Sequence, residues 1–590
     1  MCGVVGLIGG GSVAAAKRMI KTIAHRGPDG VRAQAVDMDR VKGAVAHARL
    51  SIIDLKGGWQ PLHAAGCTVI GNGEIYNYKE LADEFGLRGK LTTGSDFEPL
   101  LHLYAQQGEK AFDKLRGMYA FCLIGHDGRV WLVRDPFGIK PLYWRQAEGV
   151  LQFASEPRAL LSEIKGLQIE PEPIQELLAF NYSLGRNTVY RGIRRVKPGE
   201  VAEVVYGRPA PKRTRSPLPK PGPVPRDEAG LLQALDRVLE DSITLHQRSD
   251  VPYGLFLSGG VDSSVVAAMM ARLNERPVTA FTCGFETASG KTGVKDERAA
   301  AEKVARALNL DWREVTFGEE DFWRVLPQVA WALDEPTSDY AALPTYKLAE
   351  AAKGVLKVVL TGEGGDELFG GYGRYRRALR PPLFGGREAG PRANVPYLPD
   401  HGMAAVERWR HATDPKTALS PALGGLDPLQ TAQARDIAGW LPNDLLLKLD
   451  RCLMAHGVEG RTPFLDPEVA RFAFFLPDRF KVRGRLGKWI LRRWLQRHCP
   501  GAEPFARKAG FTTPVGAWIA PRAADLGPRI AEVEGVRRFC NAEAVRMIFR
   551  DDRMAEHRWP LLFFAVWWSI HVDRLEPAEA LARLTQERVG

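Results

Sequence analysis

A proline-rich segment divides the chain and limits what its two parts can form. Residues 207–226 (GRPAPKRTRSPLPKPGPVPR) carry seven prolines between positions 209 and 225, interleaved with arginine and lysine. Proline fixes φ and lacks a backbone N–H, so this run cannot form a helix or a central strand. We therefore predict an extended, exposed linker between an N-terminal half, residues 1–206, and a C-terminal half, residues 227–590. An SH3-type ligand and an anion-binding arm are the alternatives for this segment.

The N-terminal half reads as short strands and turns with a few helices. Two apolar runs, residues 116–124 and 129–134, flank an Asp127-Gly128 turn. Apolar runs on both sides of such a turn predict a β-hairpin.

The C-terminal half shows a different sequence pattern, in which apolar runs alternate with helical patterns. A helical pattern at 231–245 precedes an apolar run at 251–257, a glycine-rich turn and a second helical pattern that starts near Asp262. The order of strand and glycine-rich loop recurs at 355–365. Strands that alternate with helices predict a parallel, doubly wound sheet, and ligands of such sheets bind at the carboxyl ends of the strands.

The charge and cysteine content argue against several classes of protein. The chain has 81 Lys+Arg and 70 Asp+Glu, a net charge of +11, but no nucleic-acid-binding motif accompanies the excess. We therefore expect no nucleic-acid partner. The seven cysteines are an odd number and include no CxxC pair, which argues against a disulfide framework and a structural zinc.

The sequence also lacks the features of a secreted or membrane protein. It has no basic leader before its first apolar run and no stretch of about 18 apolar residues. The most apolar stretch, residues 560–572, is broken by His571 and followed by Asp573 and Arg574. We predict that it forms a buried C-terminal helix, and we expect a cytoplasmic protein without a membrane partner.

Cys2 follows the initiator methionine and precedes a glycine. Removal of Met1 would leave a free α-amino group beside the thiol. An amine with a pKa of ~7.7–8.0 can act as the base for a thiol nucleophile. Four further motifs follow in order, namely HRGPDG at 25–30, HARLSIID at 47–54, NGEIYNY at 72–78 and TGSD at 93–96.

In these five motifs the N-terminal half resembles the class II glutamine amidotransferases, whose fold is an N-terminal-nucleophile αββα sandwich. The resemblance implies that Cys2 attacks the side-chain amide of glutamine. Asn72 and the Gly73 N–H would form the oxyanion hole. Glutamine itself would be bound by Arg49 at its carboxylate and Asp96 at its ammonium group, with supporting contacts from Leu50, Ser51, Asn72, Gly73 and Glu74.

Taken separately, several of these residues have ordinary structural explanations. Asn72-Gly73 is a common hairpin-turn dipeptide, residues 27–30 are a good turn, and Asp96 could cap the helix that follows it. The order and spacing of all five motifs favour the functional interpretation.

A glycine- and serine-rich loop, LSGGVDSS at 257–264, lies between the predicted strand and helix of the C-terminal half. Its glycines and serines would offer N–H and O–H donors to phosphate at a helix N-terminus, and Asp262 would reach the phosphates through a metal. The loop lacks the Gly-Lys-Ser/Thr ending of a Walker A motif. It resembles the PP-loop of the N-type ATP pyrophosphatases, which adenylate a substrate.

Later segments extend the resemblance to the glutamine-hydrolysing asparagine synthetase family over nearly the whole chain. They are residues 333–336 with 343–346, which look like the acceptor-binding segment, and residues 359–372, 459–466 and 487–492. The resemblance implies Mg²⁺ held by Asp262 and Asp366, and Glu363 as the group that accepts a proton when ammonia attacks. The alternative for Glu363 and Asp366 is helix capping. The implied ATP-binding residues are Leu257, Ser258, Gly259, Gly260, Asp262, Ser263, Cys283, Thr361, Gly362 and Lys488.

The predicted fold class is therefore mixed, α+β in the N-terminal half and α/β in the C-terminal half. The family's reaction converts aspartate, glutamine and ATP into asparagine, glutamate, AMP and pyrophosphate through an acyl-adenylate. Well-known members carry an arginine just ahead of the position of Pro344, whereas residues 338–343 (SDYAAL) contain none. The alternatives are a relative that amidates a different carboxylate and a non-catalytic regulatory or scaffold relative. A homodimer is implied by the family alone.

Overall fold

The structure is a computed structural model and describes residues 2–586 except 39, 219, 221, 223–224, 287–296, 382, 384–389, 392–394 and 507–512. The strands of the N-terminal half are β1 (Gly3–Ile8), β2 (Val31–Met38), β3 (Val41–Ala48), β4 (Leu62–Ala64), β5 (Cys67–Ile75), β6 (Gly117–Ile124), β7 (Val130–Arg134), β8 (Tyr143–Ala147), β9 (Val150–Ala154), β10 (Arg194–Arg195), β11 (Glu200–Val205) and β12 (Arg208–Thr214). The strands of the C-terminal half are β13 (Tyr253–Phe256), β14 (Thr279–Phe285), β15 (Asp311–Phe317), β16 (Val358–Leu360), β17 (Glu459–Arg461), β18 (Val482–Arg483) and β19 (Leu486–Gly487).

Five helices belong to the N-terminal half, and the remaining ones follow the proline-rich segment. The first five are α1 (Val13–Thr22), α2 (Tyr78–Glu84), α3 (Glu98–Gln107), α4 (Pro157–Leu161) and α5 (Pro171–Phe180). The others are α6 (Glu228–His246), α7 (Val261–Leu273), α8 (Arg298–Ala307), α9 (Glu319–Ala332), α10 (Ala342–Ala352), α11 (Gly365–Phe369), α12 (Gly373–Ala378), α13 (Met403–Ala412), α14 (Pro415–Ala418), α15 (Pro428–Ala438), α16 (Leu446–Met454), α17 (Pro467–Phe474), α18 (Asp478–Lys481), α19 (Trp489–His498), α20 (Val515–Ile519), α21 (Ala523–Glu532), α22 (Glu534–Phe539), α23 (Ala542–Arg550), α24 (Arg558–His571) and α25 (Pro577–Thr585).

Two antiparallel six-stranded sheets form the N-terminal half. Their strand orders are β10-β8-β9-β1-β3-β2 and β12-β11-β7-β6-β5-β4. Successive side chains of a strand point to opposite faces. Val4 of β1 therefore packs between the sheets against Ile70, whereas Val5 packs outward with Met19 of α1. Helix α3 covers the outer face of the second sheet. This arrangement confirms the predicted αββα sandwich.

The predicted hairpin is present in the second sheet. Strands β6 and β7 pair antiparallel, from Ala120 opposite Arg134 to Ile124 opposite Val130. The Asp127-Gly128 turn joins them, and Gly128 has a φ of +77°, a conformation that glycine adopts easily.

The proline-rich segment differs from the prediction at its start. Residues 208–214 form β12, which pairs antiparallel with β11 at the edge of the second sheet. Pro209 lies opposite Val204 and Pro211 opposite Ala202. An edge strand leaves one row of its backbone groups outside the ladder, so proline is tolerated there although a central strand would exclude it. The first third of the predicted linker therefore extends the N-terminal sheet.

A parallel five-stranded sheet forms the centre of the C-terminal half, as predicted. Its order is β15-β14-β13-β16-β17, and every neighbouring pair runs parallel. The chain builds outward from β13 in one direction and then restarts at β16 on the other side. In such sheets the crevice at the carboxyl ends of the two strands at this switch is the ligand site. The LSGGVDSS loop follows β13, and the 361–365 loop follows β16.

The predicted buried C-terminal helix is α24. Phe563, Phe564, Trp567 and Trp568 are each at most 1% exposed, because α24 packs among the helices of the C-terminal half. Among the described residues, no helix has both the length and the apolar character that crossing a membrane requires.

Two candidate active sites

Cys2 lies directly before β1, where the nucleophile of the first site is predicted. Its side chain is half-buried, and the Cys2 backbone nitrogen donates a hydrogen bond to Asn72 Oδ1 at 3.0 Å. The sulfur lies 4.0 Å from the carbonyl oxygen of Leu50. Burial raises the pKa of the Cys2 thiol. A nearby base is therefore needed to form the thiolate near neutral pH.

Asn72 and Gly73 lie inside β5, opposite Ala120 and Tyr119 of β6, and so do not form a hairpin turn. The Asn72 side chain is fully buried, and its Nδ2 has no hydrogen-bond partner among the residues that the structure describes. A buried donor left without a partner is costly unless a ligand or water satisfies it. Gly73 has a φ of +139°, and a Cβ there would overlap the carbonyl oxygen of Met118. The Asn72 Nδ2 donor suits an oxyanion hole, and the close approach of the Met118 carbonyl explains why position 73 is a glycine.

Arg49 is held by the backbone that follows it. Its two terminal nitrogens donate to the carbonyl oxygens of Asp54 at 2.5 Å and Leu55 at 3.3 Å, and its guanidinium lies over the ring of Trp59 at 5.0 Å. A guanidinium positioned in this way can present its remaining N–H groups to a carboxylate. Among the described residues, no carboxylate forms an ion pair with Arg49.

Leu50 and Ser51 follow Arg49 along the wall of the site. The Ser51 N–H donates to Asp29 Oδ2 at 2.7 Å, and Lys357 of the C-terminal half binds the same oxygen at 2.7 Å. Residues 27–30 therefore do not only form a turn. Asp29 links the segment that is predicted to bind glutamine to the C-terminal half.

Asp96 and Glu74 form a buried acidic pair. Asp96 does not cap α3, because its Oδ2 accepts a hydrogen bond from the Ile75 N–H at 2.7 Å. Burial, followed by the charge of Glu459, raises the pKa of Asp96 to about 7. Burial and the neighbouring Asp96 also raise the pKa of Glu74.

The C-terminal half reaches this acidic pair through β17. Arg461 Nη2 lies 3.7 Å from Glu74 Oε1, and its guanidinium lies over the ring of Tyr76 at 5.5 Å. Nothing in the sequence indicated that this strand borders the first site.

Arg26 lies in the HRGPDG motif, which predicted no role for it, and it contacts the backbone of Cys2 directly. Its Nε donates to the Cys2 carbonyl oxygen at 3.2 Å, and the side chain is fully buried. Its other partners are Glu156, at 2.8 Å, and Asp450 of the C-terminal half, at 2.8 Å and 3.1 Å.

The second site begins at the loop after β13. Gly259 has a φ of +69°, and a Cβ there would lie 2.6 Å from the Ala301 nitrogen. The hydroxyls of Ser258 and Ser263 lie 3.0 Å apart, and the Gly260 N–H points to Ser258 Oγ at 3.3 Å. Helix α7 begins directly after Gly260 without a side-chain cap. The loop therefore directs N–H and O–H groups to a helix N-terminus, an arrangement that binds phosphate.

Two carboxylates, each in the first turn of a different helix, share one lysine in this site. Lys488, which lies directly before α19, forms ion pairs with Asp262 and with Asp366, the latter at 2.8 Å. Burial would lower the pKa of Lys488, but the two carboxylates raise it above its usual value. The residues around this lysine are closely packed, since a Cβ on Gly371 would overlap Asp366 Oδ1 and Lys488 Cε.

The donor set suits magnesium. One or two carboxylates together with phosphate oxygens are its usual ligands in nucleotide sites. Among the described residues, no group of three or more His, Cys, Asp or Glu could hold a metal ion, so most donors would come from the nucleotide and water.

The other predicted ATP-binding residues follow the edge of the parallel sheet. Leu257 and Thr361 directly follow β13 and β16, and Cys283 lies in β14 between them and β15. A Cβ on Gly362 would lie 2.9 Å from Asp262 Cβ, so the two loops touch. Helix α11 begins at Gly365, and the residue before it, Gly364, has no side chain that could cap the helix.

A mixed-charge cluster lies beside the predicted acceptor segment. Lys448 Nζ is 2.7 Å from Asp339 Oδ2, and Thr337 and Trp440 both donate to the Asp444 carboxylate. Burial, followed by the charge of Asp339, raises the pKa of Asp444 to about 7. Burial would lower the pKa of Lys448, but these carboxylates, together with Glu363, raise it.

Comparison with known proteins gives matches over both halves. A family model described as "Glutamine amidotransferase domain" matches residues 1–213, and one described as "Asparagine synthase" matches residues 234–569. The chain is 31% identical to "Asparagine synthetase (glutamine-hydrolyzing) 1" of Bacillus subtilis, with 100% of this chain and 99% of the relative covered. It is 33% identical to a "Putative asparagine synthetase (glutamine-hydrolyzing)" of Mycobacterium tuberculosis, with 97% and 96% covered. A protein of Gibberella zeae named "Amidase chry2" is 28% identical, with 85% and 84% covered.

Proposed function

Because the chain belongs to the family of glutamine-hydrolysing asparagine synthetases, we propose that it moves the amide nitrogen of glutamine onto the side chain of aspartate. The convergence of Asp262, Asp366 and Lys488 on the phosphate-binding loop carries the ATP-dependent part of this proposal. The convergence of Cys2 and Asn72 carries the glutamine-dependent part.

The first reaction is hydrolysis of the glutamine amide. The thiol of Cys2 loses its proton to the neighbouring α-amino group and attacks the amide carbon. Asn72 Nδ2 and the Gly73 N–H bind the oxyanion, a contribution of about 3–4 kcal/mol per donor. Ammonia leaves with the proton, and water then cleaves the thioester to release glutamate. Arg49 and Asp96 hold the two charged ends of the amino acid.

The second reaction activates the acceptor carboxylate. A carboxylate oxygen attacks the α-phosphorus of ATP and expels pyrophosphate, which the loop at 258–263 and Lys488 bind as its charge develops. Asp262 and Asp366 would hold Mg²⁺, which would supply further charge neutralisation. Ammonia then attacks the acyl-adenylate carbon, Glu363 receives the proton, and AMP departs.

The mixed charges beside the acceptor segment favour an amino-acid acceptor. Aspartate carries an ammonium group and a second carboxylate in addition to the one that reacts. Asp339 and Asp444 suit the first group and Lys448 suits the second, although the segment lacks the family's arginine. A plain carboxylic acid carries no ammonium group for Asp339 and Asp444 to bind.

An acceptor panel tests this assignment without involving the first site. Protein with a native N-terminus is supplied with ATP, Mg²⁺ and ammonium, and AMP and pyrophosphate are measured for aspartate, glutamate, succinate and β-alanine. We expect AMP formation to be fastest with aspartate. Lys448→Met should raise the KM for aspartate by about tenfold, equivalent to about 1.4 kcal/mol, and should affect the KM for glutamine far less.

The second candidate is an amidotransferase with a different acceptor, which the amidase among the relatives favours. Glutamate release with no aspartate-dependent AMP would favour it over the aspartate proposal. The absence of both reactions would indicate a non-catalytic relative.

A further inference from the structure

The two halves meet at a cluster of buried charges next to Cys2. The N-terminal half contributes Arg26 and Glu156, and helix α16 of the C-terminal half contributes Asp450 and Arg451. All four side chains are at most 1% exposed. Taking charges out of water is expensive unless each has a close partner, so this cluster holds its members firmly in place.

Arg26 connects Cys2 to this cluster. Its Nε donates to the Cys2 carbonyl oxygen at 3.2 Å, while the opposite edge of the guanidinium meets both oxygens of Asp450, at 2.8 Å and 3.1 Å. A guanidinium is planar, so fixing one edge with a bidentate carboxylate fixes the direction of the remaining N–H group. Asp450 therefore sets the direction of the N–H group that Arg26 donates to the Cys2 carbonyl oxygen.

Asp450 is itself held by its own half of the molecule. Arg451 Nη1 lies 3.1 Å from Asp450 Oδ2, and Arg451 Nε donates to Asp334 Oδ1 at 3.0 Å. Burial would raise the pKa of Asp450, but Arg26 and the cations beside it lower the pKa. Asp450 is therefore ionised at neutral pH.

We propose that Asp450 is a positioning residue for Cys2, so that the C-terminal half completes the glutaminase site. This inference rests on the proposed function of Cys2. It adds that the thiol attacks glutamine efficiently only while Asp450 orients Arg26. A misplacement of about 1 Å in a reacting group can cost about 100-fold in rate.

Asp450→Asn tests this positioning role, because it removes the charge and keeps the shape. We expect kcat for glutamate release from glutamine to fall by about 10- to 100-fold, with a smaller change in the KM for glutamine. With ammonium in place of glutamine, synthesis should stay within about twofold of wild type, because Cys2 is then bypassed.

Asp466→Asn is the matched control. Asp466 is also a buried carboxylate of the C-terminal half that binds an arginine of the N-terminal half with both oxygens, here Arg116, at 2.7 Å and 2.8 Å. Among the described residues, Arg116 contacts neither Arg26 nor Cys2. The control therefore carries a similar loss of a buried ion pair between the halves without touching the nucleophile.

Alkylation of Cys2 by iodoacetamide gives a readout that needs no turnover. Cys2 is half-buried and the other six cysteines are buried, so the N-terminal peptide reports it selectively by mass spectrometry. We expect slower alkylation in Asp450→Asn than in wild type or Asp466→Asn. The proposal would be overturned if Asp450→Asn changed neither the alkylation rate nor kcat. It would also be overturned if Asp450→Asn and Asp466→Asn lost activity equally, or if Asp450→Asn lost as much synthesis with ammonium as with glutamine. A wild-type protein that releases no glutamate would instead refute the proposed function.

Discussion

At the scale of single residues, the carboxylates of the first site are adjusted by their surroundings. Asp96 and Glu74 are both at most 6% exposed and lie close to each other and to Glu459. Burial penalises the charged form, and like charges penalise it further. The pKa of Asp96 therefore rises from the ordinary range of an aspartate to about 7.

This pKa predicts how glutamine use depends on pH. Below about pH 7 Asp96 is protonated and neutral, and it no longer attracts the ammonium group of glutamine. kcat/KM for glutamate release should therefore rise between about pH 6 and pH 8, with a lower inflection near 7, since kcat/KM reports ionisations of the free enzyme. Asp96→Asn should lose that inflection. The same inflection in Asp96→Asn and in wild type would contradict the assignment.

Gly371 gives a test of the second site at a single backbone position. A Cβ there would overlap Asp366 Oδ1 and Lys488 Cε, so Gly371→Ala must push apart the groups proposed to hold the phosphates. We expect aspartate-dependent AMP formation to fall by at least about tenfold, in line with the 1–3 kcal/mol typical of overpacking.

The neighbouring Gly373 is the matched control for this change. Its φ is ordinary, and the nearest atom to an added Cβ is the end of the Arg376 side chain at 3.4 Å. Gly373→Ala should retain AMP formation close to the wild-type rate. Equal losses in the two variants would mean that the loop tolerates no side chain anywhere, and would remove the support for a specific clash at Gly371.

At the scale of elements, the C-terminal helix α24 supports the predicted acceptor segment from behind. Trp559 Nε1 donates to the Ser338 carbonyl oxygen at 2.6 Å, and Trp567 Nε1 donates to the Leu333 carbonyl oxygen at 3.0 Å. Both indoles are buried, so each bond gives a backbone carbonyl oxygen the hydrogen-bond donor that water would otherwise supply.

Trp559→Phe removes one of these donors and keeps an aromatic ring. A buried hydrogen bond contributes about 0.5–1.5 kcal/mol, so the KM for aspartate should rise by about 2- to 12-fold. Trp323→Phe is the control, because the buried Trp323 Nε1 has no hydrogen-bond partner within the described part of the chain. A similar rise in both variants would show that lost ring volume, and not the bond to Ser338, is responsible.

The elements that the sequence predicted best are those with a strong local period. Strand β13, helix α7 and the β6–β7 hairpin are present where their patterns predicted them. Strand β12 escaped prediction because an edge position, which tolerates proline, depends on which strand lies beside it.

The site residues show the same difference between what a local sequence pattern predicts and what depends on contacts between residues far apart in the sequence. Asn72 and Gly73 were proposed from a short motif, and the structure places them beside Cys2. The contact between Arg26 and Asp450 spans 424 positions in the sequence, and no local pattern indicates such a pairing. The same holds for Arg461 beside Glu74, since β17 reaches the first site only once the two halves pack together.

At the scale of the whole molecule, the two proposed sites belong to different halves but share their boundary. Helix α16 presents Lys448 to the acceptor segment and Asp450 to Arg26, two residues apart on one short helix. Buried ion pairs fix this boundary, and removing one partner of such a pair costs about 3–5 kcal/mol. We therefore expect the two halves to function as one unit.

We propose that nitrogen released at Cys2 is used at the ATP site. The most direct measurement quantifies glutamate, AMP, pyrophosphate and asparagine together, using protein with a native N-terminus, for wild type and Cys2→Ala. With glutamine, aspartate, ATP and Mg²⁺, wild type should form asparagine and AMP in equal amounts, and Cys2→Ala should form no asparagine. With ammonium replacing glutamine, Cys2→Ala should recover synthesis. Asparagine formation from glutamine by Cys2→Ala, or failure of ammonium to restore it, would contradict the claim.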